Sequence, residues 1–199
     1  MNIPNKFFIQ DFFAENPNFL YVGDYWAHQS LYYYNPQVTF REVPDEISLT
    51  IPGLCYQHCS QECNSKFCWV ENWKEEKKEL TWPILNNLIY KNPGITCVTF
   101  MTSLNFRAIN ELCILVQEVY PELKIALYIG QDLGFLIHCQ AFRDLNFDFL
   151  DYIKVGKFDK NFGPLDNPNT NQKFFKINHN VEGKNEFEDI TYKFLQKPI

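Results

Sequence analysis

The chain has 199 residues, of which 46% are apolar and 21% are charged, so it can bury a core and is neither disordered nor collagen-like. Its net charge of -6 argues against a general binder of nucleic-acid backbones, which would be basic. No apolar run approaches the roughly 18 residues of a spanning helix, and the N-terminus has no signal-peptide layout. We therefore expect a soluble, cytoplasmic protein with neither nucleic acid nor membrane as a partner.

The first elements are an aromatic extension and two strands. Residues 1–30 hold neither a helical nor a strand period for long, which predicts an N-terminal extension packed on the body. Residues 37–40 are strand-like, and residues 46–51 alternate with period two, which predicts a strand. A cysteine-rich segment follows, and the charged residues 74–79 after it indicate a solvated face.

Helix and strand patterns then alternate. Thr81 as N-cap with Pro83 in the first turn predicts a helix to about Tyr90. The later patterns predict, in chain order, a strand over 95–100, a helix over 106–119, a strand over 125–129, a weaker helix over 134–142 and a strand over 149–155. This alternation predicts βαβ units around a parallel sheet. Residues beyond Gly156 are interpreted as a tail that returns over the body.

The cysteines divide into two groups. Cys97, Cys113 and Cys139 stand singly in apolar segments, so we expect them in the core. The others crowd into one stretch, and without a secretory signal they are expected to be thiols or metal ligands rather than disulfides.

Three cysteines directly after the strand over 46–51 have the strongest chemical pattern. Cys55, Cys59 and Cys63 follow one another at spacings of four. On a straight helix the outer two would lie about 12 Å apart along the axis, too far for one metal centre, so a shared site requires a curled loop. Thiolates favour iron-sulfur, zinc or copper(I). Three thiolates on a cubane-type cluster leave one iron open to a substrate.

Two other interpretations of this segment stay open. One is a structural zinc site in which Cys68 joins the three cysteines and His58 is a spare ligand. The other is a set of unliganded thiols in a surface loop.

A cysteine cluster directly after the first strand of a βαβ series resembles the radical S-adenosylmethionine (SAM) enzymes. The details are similar to their small branch, the activating proteins of anaerobic ribonucleoside-triphosphate reductase. The most specific piece is GPLDNPNTNQ over 163–172, because that family carries a similar Gly-Pro-Leu and Thr-Asn-Gln run. The resemblance covers about residues 38–178, and its other stretches are residues 41–49, 95–101, 121–130 and 151–156.

The resemblance implies an α/β fold, an open partial (βα) barrel with parallel strands. It implies a radical SAM-like domain over 31–178, between the extension over 1–30 and a C-terminal tail over 179–199. By the same resemblance, Cys55, Cys59 and Cys63 hold a [4Fe-4S] cluster whose fourth iron chelates the methionine moiety of S-adenosyl-L-methionine.

The activity implied by the resemblance is radical generation. An electron from the cluster cleaves the cofactor to a 5'-deoxyadenosyl radical, which takes hydrogen from a backbone glycine of the reductase large subunit. An electron donor such as flavodoxin is the second implied partner. Thr102 and Ser103 would lie beside the amino-acid end of the cofactor and Gly130 near its adenosine. Gly130 is equally interpreted as a strand-ending turn, and Lys154 as a solvated strand-end lysine rather than a cofactor ligand.

The chain departs from the family pattern at two places. The family spacing C-x3-C-x2-C is C-x3-C-x3-C here. The family's Gly-Gly-acid after the second strand is replaced by Thr102, Ser103 and Leu104, which puts side chains where backbone approach is needed and removes the acid. These departures favour an alternative function, a non-catalytic, metal-stabilised (iron-sulfur or zinc) binding protein derived from the same fold.

Overall fold

The structure, a computed structural model, describes residues 3–15, 31–39, 42–51, 78–102, 106–159, 161–181 and 184–195. The strands in these residues are β1 Lys6–Phe8, β2 Tyr32–Thr39, β3 Glu46–Thr50, β4 Lys78–Glu79, β5 Cys97–Thr102, β6 Lys124–Ile129, β7 Tyr152–Val155, β8 Lys173–Val181 and β9 Lys184–Asp189. The helices are α1 Ile9–Glu15, α2 Trp82–Lys91, α3 Phe106–Val119, α4 Leu133–Leu136 and α5 Gln140–Arg143, with 3-10 turns at Phe147–Phe149 and Thr191–Phe194.

The described strands form one mixed sheet in the order β1-β9-β8-β7-β6-β5-β3-β2-β4. Its centre, β3, β5, β6 and β7, is parallel, and these strands lie side by side in the order in which they occur along the chain. Antiparallel strands flank this centre on both sides. The predicted α/β class and parallel strand series are confirmed, whereas the described residues do not show a barrel.

The helices pack on one face of the sheet, which we call the helix-covered face. Leu85 of α2 and Ile109 of α3 belong to the same buried core as Leu49, Phe100 and Leu127 of the central strands. This placement fits parallel neighbours joined by crossovers of one hand, because each crossover then returns on the same side.

The other face of the sheet is covered by loops and by the end of the chain, and we call it the loop-covered face. Its apolar cluster joins Ala126 and Phe174 of the sheet to Val43, Leu165 and Ile190 of the covering segments. Both faces of the central sheet are therefore buried.

Two predicted elements differ in the structure. The weaker helix predicted over 134–142 is wrong as one element, because the buried Cys139 adopts an extended conformation and separates α4 from α5. The strand predicted over 149–155 begins only at Tyr152. Before it, Asn146 Oδ1 accepts a hydrogen bond from the Asp148 amide at 3.0 Å and starts a 3-10 turn.

The sequence reasoning missed the strands at the two ends of the chain. β8 and β9 form an antiparallel pair that extends the sheet beyond β7, where only a returning tail was expected. β1 then pairs with β9. Its Phe7 ring lies 5.4 Å from the Phe187 ring and 5.7 Å from the Phe175 ring, so part of the extension belongs to the core.

Candidate functional site

The carboxyl ends of the four parallel strands lie side by side, at what we call the carboxyl edge. The Ile51 amide, just after β3, donates to the Met101 carbonyl of β5 at 2.8 Å. Thr102, the last residue of β5, pairs with Ile129 of β6. Ligands of parallel α/β sheets bind at this edge, outside the carboxyl ends of the strands.

Of the predicted site residues, Thr102 and Gly130 lie at the carboxyl edge, on neighbouring strands. A methyl group added at the exposed Gly130 would meet nothing within 4 Å, and Gly130 has no positive φ, so its surroundings do not require glycine. Cys55, Cys59, Cys63 and Ser103 lie outside the described residues, as do Cys68 and His58. In the sequence, the segment that carries the cysteines begins directly after Ile51.

Three segments converge on Gly156, one residue beyond β7, and we call this point the Gly156 junction. The Gly156 amide donates to the Gln131 carbonyl at 2.8 Å, which ties it to the residues after β6. Gly156 has a φ of +97°, and a Cβ there would lie 2.9 Å from the Asn171 carbonyl oxygen. Only glycine fits both the left-handed conformation and this close approach.

Two residues whose backbones meet at the Gly156 junction each have a side-chain oxygen that accepts no hydrogen bond from any described group. These oxygens are Gln131 Oε1 and Asn171 Oδ1, and both atoms are buried. Gln131 as a residue is only 5% exposed. A buried acceptor without a donor costs about 1–3 kcal/mol. Sequence reasoning did not single out these residues; the one available signal was that Asn171 lies in the Thr-Asn-Gln run.

A satisfied polar cluster lies on the loop-covered face. Glu46 is fully buried, and its carboxylate accepts hydrogen bonds from Ser48 Oγ at 2.9 Å, Thr99 Oγ1 at 2.9 Å and Tyr128 Oη at 2.7 Å. Tyr128 of β6 reaches across β5, where Thr99 has a small side chain, to Glu46 on β3. Burial, followed by the charges of Glu42 and Glu46, raises the pKa of Tyr128 above its usual value.

Lys154 closes the same face one residue before the carboxyl edge. Its Nζ lies 2.5 Å from Glu42 Oε1 and 5.4 Å from the centre of the Tyr128 ring. The side chains of Lys154 and Glu42 are only 17% and 14% exposed. The interpretation of Lys154 as a solvated strand-end lysine is therefore wrong, because its charge is paired and mostly shielded from water.

The three single cysteines are core residues, as predicted. Cys97, Cys113 and Cys139 are at most 1% exposed. Burial raises the pKa of the Cys97 thiol to about 12, and burial also raises the pKa of Cys113. Both thiols are therefore neutral near pH 7 and are poor candidates for nucleophiles or metal ligands.

Comparison with protein-family models, curated proteins and solved structures found no match. Within the described ranges, no group of three or more His, Cys, Asp or Glu side chains is arranged to hold a metal ion. No helix in the same ranges is long and apolar enough to cross a membrane.

Proposed function

We propose that this protein is a divergent radical SAM activase, which generates a glycyl radical on an anaerobic ribonucleoside-triphosphate reductase in the cytoplasm. The observation that carries the proposal is the position of the cysteine segment in the topology. In the sequence it begins directly after Ile51, which follows β3, and β3 is the first along the chain of four parallel strands that lie side by side in chain order. A partial (βα) barrel built on these strands would be open at its antiparallel flanks.

The proposed cofactors are a [4Fe-4S] cluster on Cys55, Cys59 and Cys63, and SAM. When bound, they supply a one-electron cleavage of a carbon-sulfur bond that the side chains of this protein cannot perform alone. Near this edge, Gln131 and Asn171 have side-chain oxygens that accept no hydrogen bond from the described residues, and such acceptors suit a ligand with amino and hydroxyl groups. This acceptor chemistry supports the proposed cofactor.

Thr102, Ser103 and Gly130 are the proposed neighbours of SAM. Thr102 and Gly130 follow adjacent strands, and adjacent strands are about 4.8 Å apart. From β3 to β6 there are two such steps, so a single cofactor can extend from the cysteine segment to Gly130. In this arrangement Thr102 and Ser103 orient the amino-acid end, and Gly130 leaves room for the adenosine.

Tyr128 and Lys154 cover the side of this proposed site that faces the sheet, and they exclude water there. They are register partners on β6 and β7, two residues before Gly130 and Gly156 respectively. Tyr128 is 7% exposed, and Lys154 lies over its ring. Side chains that exclude water from the site protect a reactive intermediate from solvent.

The proposed partners are the reductase large subunit and an electron donor such as flavodoxin. Phe158 and Phe162, in the loop after Gly156, are 38% and 44% exposed. Exposed aromatic side chains beside the carboxyl edge suit a protein surface that covers the edge during radical transfer. This position supports a partner at the same edge as the cofactor.

The test is anaerobic reconstitution with iron and sulfide, followed by reductant, SAM and the reductase. We expect 5'-deoxyadenosine by chromatography and a glycyl-radical doublet on the reductase by electron paramagnetic resonance. Cys55→Ala, Cys59→Ala and Cys63→Ala should lose the iron. Cys113→Ala, which truncates a buried core cysteine, is the matched control and should keep it. A cluster that forms fully but yields neither product would refute the activase.

A second candidate function is the non-catalytic, metal-stabilised binding protein. The side chains of Thr102, Ser103 and Leu104, at positions where the resembled family has Gly-Gly-acid, favour it. It predicts that the protein binds the reductase but produces no 5'-deoxyadenosine. In its zinc form, stoichiometric zinc should disappear with Cys68→Ala.

A further inference from the structure

The loop that joins β7 to β8, residues 156–172, is long and is fixed at its base. It exceeds the roughly 12–15 residues beyond which connecting loops are uncommon. Because β7 and β8 are paired neighbours, the two ends of the loop lie side by side, and Gln172 Nε2 donates to the Gly156 carbonyl at 3.3 Å. Leu165, in its middle, is buried in the apolar cluster of the loop-covered face. Long surface loops whose ends meet and whose side chains pack inward frequently carry function.

The turn at residues 159–163 of this loop has one defined conformation. The Gly163 amide donates to the Asp159 carbonyl at 2.7 Å, and Asp159 Oδ1 accepts from the Asn161 amide at 2.8 Å. Gly163 has a φ of +74°, and a Cβ there would lie 2.6 Å from Asn167 Nδ2, so this position requires glycine. The side chains on this turn are therefore held by an ordered backbone.

Two exposed phenylalanines, Phe158 and Phe162, lie beside and within this turn. Among the described residues, the phenylalanines that are exposed by more than a third are these two and Phe135. All three follow β6 or β7, at the carboxyl edge, whereas the other described phenylalanines are buried or partly buried. Aromatic side chains are enriched at protein interfaces, and an ordered backbone lowers the entropy lost when they are covered.

The charge of the loop selects a protein as the partner. Asp159 and Asp166 balance Lys157 and Lys160, so the loop has no net charge, and the whole chain has a net charge of -6. Anionic membranes and nucleic acids attract basic surfaces, which this loop does not offer. An apolar protein surface fits a neutral loop with exposed rings.

The area of the two rings argues against a second copy of this chain as the partner. Exposed fractions of 38% for Phe158 and 44% for Phe162 leave about 120–200 Å² of ring surface to be covered. A stable complex covers about 800 Å² on each protein. The two rings are therefore the size of anchors within a larger contact, in which a few side chains carry most of the binding energy.

We propose that Phe158 and Phe162 are the anchors by which the 156–172 loop docks on the reductase large subunit, each ring entering an apolar pocket of that protein. This inference rests on the proposed function, which supplies the partner. It assigns the affinity for that partner to two side chains that no step of radical generation uses.

The test measures binding of the full chain to the purified reductase large subunit by calorimetry, without iron, SAM or reductant. Phe158→Ser and Phe162→Ser should each weaken binding about tenfold or more, because each removes an apolar anchor. Tyr90→Ser is the matched control. Tyr90 is 79% exposed near the end of α2, which leads into β5 and so lies at the opposite edge of the sheet. This variant should bind the reductase as the wild type does.

A second pair of variants separates docking from folding. Phe158→Leu and Phe162→Leu keep an apolar side chain in the loop, and their thermal unfolding temperatures should stay close to that of the wild type. Their affinities should lie between those of the wild type and the serine variants. Wild-type affinity in the double variant Phe158→Ser/Phe162→Ser would overturn the proposal, as would equal weakening by Tyr90→Ser or a wild-type protein that does not bind the reductase.

These outcomes are separate from those of the proposed function. A protein that binds the reductase through both rings but produces no 5'-deoxyadenosine would refute the activase and keep the anchors. Conversely, a double serine variant that binds the reductase and generates the glycyl radical as well as the wild type does would keep the activase and reject the anchors.

Discussion

Tyr128→Phe tests whether the buried Glu46 cluster stabilises the fold. The substitution removes one hydroxyl, the donor that lies 2.7 Å from Glu46 Oε2, and keeps the ring beneath Lys154. A hydrogen bond to a charged group contributes about 1.5–3 kcal/mol. Because no cavity is created, we expect the free energy of unfolding to fall by about 2 kcal/mol.

The measurement is urea denaturation at pH 7, with Tyr152→Phe as control. Tyr152 lies on the same face, on the neighbouring strand, and stacks on Phe174, and its partly exposed hydroxyl makes no hydrogen bond with the described groups. Its loss should change stability by less than about 0.5 kcal/mol. Thr99→Val removes a second donor to the same oxygen, so the double variant with Tyr128→Phe should be non-additive by at least about 0.5 kcal/mol.

A pH series gives an independent check. The pKa of Tyr128 is raised in the folded state by burial, then by Glu42 and Glu46, so the folded protein keeps the phenol neutral. Its contribution to stability is complete below the unfolded pKa of about 10 and is lost as the pH rises above it. Wild-type protein should therefore lose stability above about pH 10 more steeply than Tyr128→Phe. Equal loss for Tyr128→Phe and Tyr152→Phe, together with parallel pH curves, would refute the reasoning.

Three further experiments test the Gly156 junction, the Lys154–Glu42 ion pair and residues 102–104. Gly156→Ala should lower the free energy of unfolding by more than about 2 kcal/mol, because alanine is strained at a φ of +97° and its Cβ would lie 2.9 Å from the Asn171 carbonyl oxygen. Gly130→Ala is the control and should be nearly neutral. Urea denaturation midpoints compare the two variants. Lys154→Met should lower the free energy of unfolding by about 3 kcal/mol, because it leaves the carboxylate of Glu42 shielded from water and without its cation. Adding Glu42→Gln should restore part of this stability. Little loss of stability in Lys154→Met would show that water reaches Glu42. Replacing residues 102–104 by Gly-Gly-Glu should tighten SAM binding in calorimetry, because it restores access to the backbone and supplies a carboxylate for the ammonium group. Unchanged or weaker affinity would assign another role to these residues.

The central strands and helices were predictable because their apolar residues recur with the regular period of a strand or a helix. The helix over 106–119 has its predicted bounds, and its apolar positions Ile109, Leu112 and Val116 are buried as the helical period requires. β8 was missed because the sheet is covered on both faces there. Phe174 packs on the loop-covered face while its neighbour Phe175 packs on the helix-covered face, so no alternation remains to be read.

The edge position of Thr102 and Gly130 follows from strand order, which the sequence pattern already implied. The deficit at Gln131 and Asn171 does not, because an unsatisfied hydrogen bond is a property of the packed chain. Gln131 comes next after Gly130, yet only the approach of residues 171–172 to Gly156 shows that its surroundings are crowded and short of donors. Local sequence carries no signal for that approach.

The two sets of buried polar groups differ in a way that separates structure from recognition. On the loop-covered face, the carboxylate of Glu46 accepts hydrogen bonds from three hydroxyl groups of its own chain. These bonds offset the free energy that is lost when the carboxylate is removed from water. The unpaired Glu42 Oε2 belongs to a carboxylate whose other oxygen already binds Lys154. Among the described residues, the other buried side-chain oxygens without a donor are the neutral amide oxygens of Gln131 and Asn171, near the carboxyl edge. Because Glu46 is satisfied by hydroxyl groups of its own chain, we assign its cluster to the stability of the fold rather than to ligand binding.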